Sequence, residues 1–176
     1  MEGAGISTAD WGRGKAKTIR HLAQEIECGE CKLLNFEGTL TRIVIVAGAD
    51  IFYAPPNGQR YQLIEEKQVF ADGRERRRNL AQAVSEKLRP DEDPREAMIR
   101  GLREELGISG DVVISYQGES TRTLPSPSYP GLASRYTNHK FTVVLQESQF
   151  NPGGYIEAQS DKSTYFVWQP VPKKSD

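Results

Sequence analysis

Apolar residues recur along this chain with two periods, and the switches between them mark its elements. Ile19, Leu22, Ala23 and Ile26 fall at i, i+3, i+4 and i+7, which predicts a helix over 15–27. Residues 32–36 read as a short strand. The β-branched run TRIVIVAGADIFYA at 41–54 reads as a longer one, with Ile43, Val44, Ile45 and Val46 contiguous enough for burial on both faces. A turn at Pro55-Pro56-Asn57-Gly58 leads to a strand over 61–70, closed by Ala71-Asp72-Gly73. Further strands are predicted at 111–119, 140–146 and 163–168, with a turn at Asn151-Pro152-Gly153-Gly154. Between the first two of these lies TLPSPSYPGLASRYTNH, which reads as a long loop; unstructured connections beyond about 12 residues are more often functional than idle.

One helix stands out for its chemistry, in EDPREAMIRGLREELGI at 92–108. Asp93 suits the N-cap, Pro94 the first turn, Glu96 a capping box and Gly107 the C-terminal cap. At about 100° per residue with Ala97 at zero, Gly101 falls near 40°, Glu104 near 340° and Glu105 near 80°. These four residues form one small, acidic stripe. Met98, Ile99, Leu102 and Leu106 form an apolar stripe, and Glu96, Arg100 and Arg103 take the remaining side.

The spacing resembles the signature of the Nudix hydrolase superfamily, whose box runs Gly, five residues, Glu, seven residues, Arg-Glu-apolar-x-Glu-Glu-x-Gly-apolar. Glu92, Arg100, Leu102, Glu104, Glu105, Gly107 and Ile108 fall on box positions, and SEKLRPDEDP resembles the loop leading into the box. Two positions depart: Glu86 stands where the first glycine belongs, and Gly101 where the glutamate after the arginine belongs. The box is therefore degenerate. The motif likeness covers 85–108, and a looser likeness in element order covers 40–170.

Periodicity alone supports an α+β chain with a mixed sheet; the resemblance implies a Nudix-like α/β/α sandwich with a central mixed β-sheet. It also implies that Glu104 and Glu105 are catalytic metal ligands for Mg²⁺ or Mn²⁺, and that Glu92 and Arg100 form the ion pair fixing the loop against the helix. The third helix carboxylate has no counterpart at Gly101. A hard cation takes oxygen ligands and offsets the phosphate charge that repels an attacking water. Two carboxylates suffice for Mg²⁺ when waters and substrate phosphates complete the octahedron. The implied function is metal-dependent hydrolysis of a nucleoside diphosphate linked to another moiety. The alternatives are an inactive module of the same fold that binds a nucleotide or phosphorylated metabolite, and a protein-interaction domain.

Candidate ligand contacts come from two further segments. Arg74, Arg76, Arg77 and Arg78 crowd into GRERRRN, and guanidinium groups pair with phosphate oxygens; Arg76 and Arg78 are the substrate-binding candidates. Solvated surface charge is the competing reading. Tyr129 and Tyr136 could stack on a base or pack the loop, and His139 could serve as acid or base or be structural. Glu147, Glu157 or Asp161 could supply a compensating carboxylate, and spacing does not choose among them.

With 176 residues, 37% hydrophobic and 27% charged, the chain suits one globular domain. We divide it into an N-terminal extension at 1–38 with one helix packed on the core, a Nudix-like domain at 39–172, and a frayed tail at 173–176. A net charge of −1 gives no basic field, so the expected partner is a small phosphorylated substrate or ligand rather than an extended nucleic acid; a homodimer is compatible. No apolar run approaches the roughly 18 residues of a membrane span, and the N-terminus lacks the apolar core of a secretion signal, which together suggest a cytoplasmic protein. Cys28 and Cys31 form CGEC; with only His21 and His139 beside them, reduced thiols at a helix-to-strand turn are expected rather than a zinc site.

Overall fold

The computed structural model describes residues 5–56 and 58–172; Asn57 of the predicted turn and the tail at 173–176 lie outside the described residues. The elements run α1 (Ile19–Glu27), β1 (Lys32–Phe36), β2 (Thr39–Tyr53), β3 (Tyr61–Phe70), β4 (Glu75–Leu80), β5 (Gln82–Lys87), α2 (Pro94–Leu106), β6 (Val113–Pro125), β7 (Ala133–Leu145), β8 (Tyr155–Ala158) and β9 (Lys162–Pro170). The strands are ordered β6-β7-β2-β3-β9-β8, with β1 and β5 paired to β2 and β4 paired to β3. Contacts group the residues into two compact units that do not follow chain order. The first comprises Met1–Val46, Lys87–Pro94 and Glu119–His139, and the second Ala47–Glu86, Arg95–Gly118 and Lys140–Asp176. The division falls inside β2.

In the first unit, α1 begins three residues after the Lys15-Ala16 stretch because Thr18 caps it. The Thr18 hydroxyl accepts from the His21 backbone N–H at 3.3 Å, and His21 Nδ1 accepts from the Thr18 N–H at 3.1 Å. β1 and the start of β2 form an antiparallel hairpin, Phe36 against Thr39, through Glu37 and Gly38 at φ 51° and 78°. Trp11, Leu22, Cys31, Val44, Tyr129 and Leu132 make the core of this unit. The predicted long loop is mostly strand: β6 extends to Pro125 and β7 starts at Ala133, leaving a short connection. That connection is packed rather than open. Tyr129 is fully buried, and Trp11 Nε1 donates to the Pro130 carbonyl at 2.9 Å.

A buried charge cluster lies in the same unit. Glu25 accepts from Arg42 Nη2 at 2.6 Å and from Lys17 Nζ at 2.7 Å, with Lys87 Nζ at 3.5 Å. Burial alone would raise its pKa, yet the hydrogen bonds from Lys17 and Arg42 and the charges of Arg42 and Lys87 hold it at about 2. Cys28 and Cys31 are free thiols at the turn from α1 to β1, and burial pushes the Cys31 thiol upward.

The second unit holds α2 and most of the sheet. Ala47, Ala49 and Ile51 are fully buried, whereas Ile45 is 41% exposed. The stretch of β2 buried on both faces thus begins after the Ile43–Val46 run that the sequence suggested, at small residues. Pattern reading missed three strands. β4 is exposed at nearly every position, so it shows no alternation, and β8 is only four residues long. β5 lies in the segment read as a loop entering the box.

Candidate functional site

The site is built on a buried face of the second unit, where strand register lines up polar residues. Arg76 of β4 opposes Gln68 of β3, Gln68 opposes Thr164 of β9, and Thr164 opposes Glu157 of β8. Directly opposed residues of antiparallel strands share a face, so these four side chains form one row. A register shift between Glu65 and Lys67 adds Glu65 to that face. Glu65 opposes Phe166 and Gln68 opposes Thr164, two residues apart on β9 but three apart on β3. In a regular strand residues three apart lie on opposite faces, so it is the bulge that brings Glu65 and Gln68 to the same one. Both are buried, at 6% exposure each.

Glu65 Oε1 lies 3.1 Å from Arg78 Nη1. Burial raises the Glu65 pKa, against the pull of Arg78, Lys162 and Arg76. Among the described residues the buried Thr164 hydroxyl has no hydrogen-bond partner, a costly state for a polar group.

Helix α2 presents the second half of the site. Gly107, at φ 67°, ends it, and the Ile108 N–H reaches back to the Leu102 carbonyl at 3.1 Å. Met98, Leu102 and Leu106 are buried as expected, but Ile99 is 38% exposed, and Ala97 and Arg100 are buried as well. Arg100 Nη1 pairs with Glu86 Oε1 at 2.9 Å and Glu104 Oε2 at 3.4 Å, which accounts for a charge tolerating that position. Glu104 remains half exposed.

Glu105 is the most perturbed carboxyl here, pushed up to about 8. Burial is the largest cause, followed by the negative charges of Glu157, Glu86 and Glu65, with a hydrogen bond from the Ser85 backbone opposing them. Perturbed groups of this kind concentrate at functional sites. The helical stripe read from the sequence thus splits: Glu105 faces the buried polar row, whereas Glu104 joins Arg100.

The other candidates divide between this group and other parts of the chain. Arg76 acts electrostatically on Glu65, as does Arg78, so both accompany the carboxylate group. Arg77 Nη1 lies 3.6 Å from Glu66 Oε1 and is exposed, and Arg74 pairs with Asp72. Glu92 accepts from the Arg89 backbone N–H at 2.8 Å in the loop before α2. Tyr129 belongs to the core of the first unit, between Trp11 at 5.1 Å and Arg42 at 5.4 Å, and has no exposed ring face to offer a base. The packing reading applies to it. In that unit Tyr136 accepts from Arg42 Nη1 at 3.3 Å, and His139 Nδ1 lies 3.7 Å from Glu119 Oε2.

Sequence reasoning named Glu157 only as one of three carboxylates and missed Glu65, Gln68, Glu86 and Thr164. The available signal for Glu86 was reciprocity: one box position trades glycine for glutamate while another trades glutamate for glycine.

Among the described residues, no three His, Cys, Asp or Glu side chains stand close enough to form a ready-made metal cage. The donor set fits a looser arrangement. Mg²⁺ is typically held by one or two carboxylates, with waters and substrate phosphates completing its shell. Like-charged carboxylates around Glu105, with the unpartnered Thr164 hydroxyl, suit such an ion, and no sulfur or imidazole intrudes.

No family model and no curated protein sequence matches the chain. Its structure is similar to that of a MutT/nudix family protein from Enterococcus faecalis, at 11% identity and a TM-score of 0.51, over 89% of this chain and 52% of that one. The chain therefore spans about half the length of that protein. Weaker likenesses are to C. elegans Ap4A hydrolase, at 18% identity and a TM-score of 0.38 over 73% of this chain and 80% of that one. A binary complex of a C. elegans Ap4A hydrolase gives 15% and 0.41, over 72% and 78%. The first likeness carries the fold: the chain is α+β, a Nudix-like α/β/α sandwich with a central mixed sheet. At such identity it speaks to fold alone.

Proposed function

We propose that this chain is a metal-dependent hydrolase of the Nudix type, acting on a nucleoside diphosphate linked to another moiety. The observation that carries the reading is Glu105, a partly buried carboxyl whose pKa is raised by desolvation and by the charges of Glu157, Glu86 and Glu65, with Arg78 and Arg76 acting on Glu65. Glu105 and the more exposed Glu104 would hold Mg²⁺ or Mn²⁺, which when bound offsets phosphate charge and lowers the pKa of a coordinated water.

The protein side of the chemistry follows from the residues. Arg78 and Arg76 offer guanidinium donors to phosphate oxygens, orienting the diphosphate against the carboxylates. The Ser85 backbone N–H fixes Glu105 from β5. Glu157, partly exposed and acting electrostatically on Glu105, would accept the proton of the attacking water at a carboxylate oxygen.

A second reading, a ligand-binding module without turnover, draws on Gly101, which leaves the helix one carboxylate short. A panel of nucleoside diphosphate derivatives with Mg²⁺ and Mn²⁺, read by phosphate release and by melting shift, separates the two. Cation-dependent release that Glu105→Gln abolishes supports hydrolysis. Stabilisation without release identifies the module, since a ligand of the native state alone raises stability.

A further inference from the structure

We infer that Glu86, projecting from β5, takes over the place of the carboxylate that α2 lacks at Gly101, so that the two departures from the box pattern are one reciprocal exchange. The inference rests on the hydrolase reading above and deepens its site by one residue. The geometry that supports it is steric. A Cβ built on Gly101 would stand 3.0 Å from Val84 Cγ1, 3.2 Å from Glu86 Cβ and 3.6 Å from Glu86 Cγ. The two shorter contacts are tighter than ordinary packing, so a side chain at 101 requires Val84 and the stem of Glu86 to give by a few tenths of an ångström. Position 101 thus lies directly against the stem of Glu86, with Val84 closing the other approach.

The position of Glu86 also has a functional direction. Its carboxylate is held by Arg100 Nη1 at 2.9 Å and is 22% exposed, so it is oriented but not sealed. It is among the charges acting on Glu105. Thr164 supplies an observation independent of the acidic residues. Its hydroxyl is 3% exposed, lacks a hydrogen-bond partner, and lies directly across from Glu157 on the shared face. A cation or its waters would satisfy that oxygen. The chemical class of ligand is a hard divalent cation, with Glu86 and Glu105 donating oxygen.

The bland alternative is that Glu86 serves only as the counter-ion of buried Arg100. A four-member cycle on the full chain separates them: wild type, Glu86→Gly, Gly101→Glu and the double variant, with Glu86→Gln as a fifth member. Each is read by melting temperature in EDTA and by the melting shift on titration with Mn²⁺ alone. The exchange predicts that Glu86→Gln weakens the apparent Mn²⁺ affinity at least about tenfold, since even outer-shell changes cost ten- to hundred-fold. It further predicts that Gly101→Glu lowers the melting temperature, and that the double variant recovers both melting temperature and Mn²⁺ affinity beyond the sum of the single effects. Mn²⁺ binding unchanged in Glu86→Gln, or additive effects in the double variant, overturns the inference while the hydrolase reading stands. A wild-type chain with no Mn²⁺ response overturns both.

Discussion

Replacing Glu105 by glutamine should make this protein more stable in the absence of divalent cations, by an amount that grows with pH. Its carboxyl titrates near 4.5 when unfolded and at about 8 in the fold. A raised carboxyl pKa means that the folded state prefers the protonated form. The group therefore costs nothing below pH 4.5 and destabilises progressively as pH rises toward 8, where the cost levels off. At about 1.4 kcal/mol per tenfold, the full penalty is on the order of 5 kcal/mol, and near pH 7 about 3 kcal/mol. Glutamine approximates the protonated carboxyl, so the variant should match wild type near pH 4.5 and exceed it by about 3 kcal/mol at pH 7. Urea unfolding in EDTA from pH 5 to 9 gives both curves, and their difference isolates this residue from every other titration. A constant difference across that range, or a variant less stable than wild type at pH 8, would refute the claim that Glu105 is buried among like charges.

Four further outcomes follow from the structure. Glu25, held at about 2 by its partners, contributes about 3 kcal/mol of stability above pH 4.5 that is lost as pH falls toward 2; acid unfolding of Glu25→Gln should lack that limb. Arg42→Ala leaves Glu25 without its 2.6 Å partner and should cost about 3–5 kcal/mol in denaturant titration, reported as a shifted midpoint at unchanged slope. Gly29→Ala should cost at least about 1–2 kcal/mol, because Gly29 has φ 73° and an added Cβ overlaps the Pro90 ring; a neutral calorimetric result would contradict that close approach. Thr164→Val removes an unpartnered buried hydroxyl and should be neutral or stabilising by up to about 1 kcal/mol in EDTA, measured the same way.

The signature helix was readable because its caps, apolar stripe and acidic pair repeat within one turn of one another, and local periodicity is what sequence preserves. Its boundaries and the burial of Met98, Leu102 and Leu106 follow that reading. The strand half of the site was not readable, for a physical reason. Glu65 and Gln68 share a face only through a register shift, and their alignment with Thr164 and Glu157 is set by β3 pairing with β9, about ninety residues further along the chain. Nothing local records such pairing. The proline- and serine-rich segment misled for the opposite reason: its composition is that of a loop, yet pairing extends β6 to Pro125 and starts β7 at Ala133, and the core claims Tyr129. The resemblance assigns Arg100 to an ion pair with Glu92; that it is buried with Glu86, from a strand outside the helix, 2.9 Å away is a tertiary fact no local pattern carries.

The most direct test is whether Glu105 helps hold a divalent cation against a diphosphate. Electron paramagnetic resonance reports free Mn²⁺ as protein is added in the presence of a non-hydrolysable nucleoside diphosphate derivative. The account predicts that wild type quenches the signal at one or two ions per chain and that Glu105→Gln leaves it almost intact. Equal quenching by the two proteins, or none by either, would contradict it.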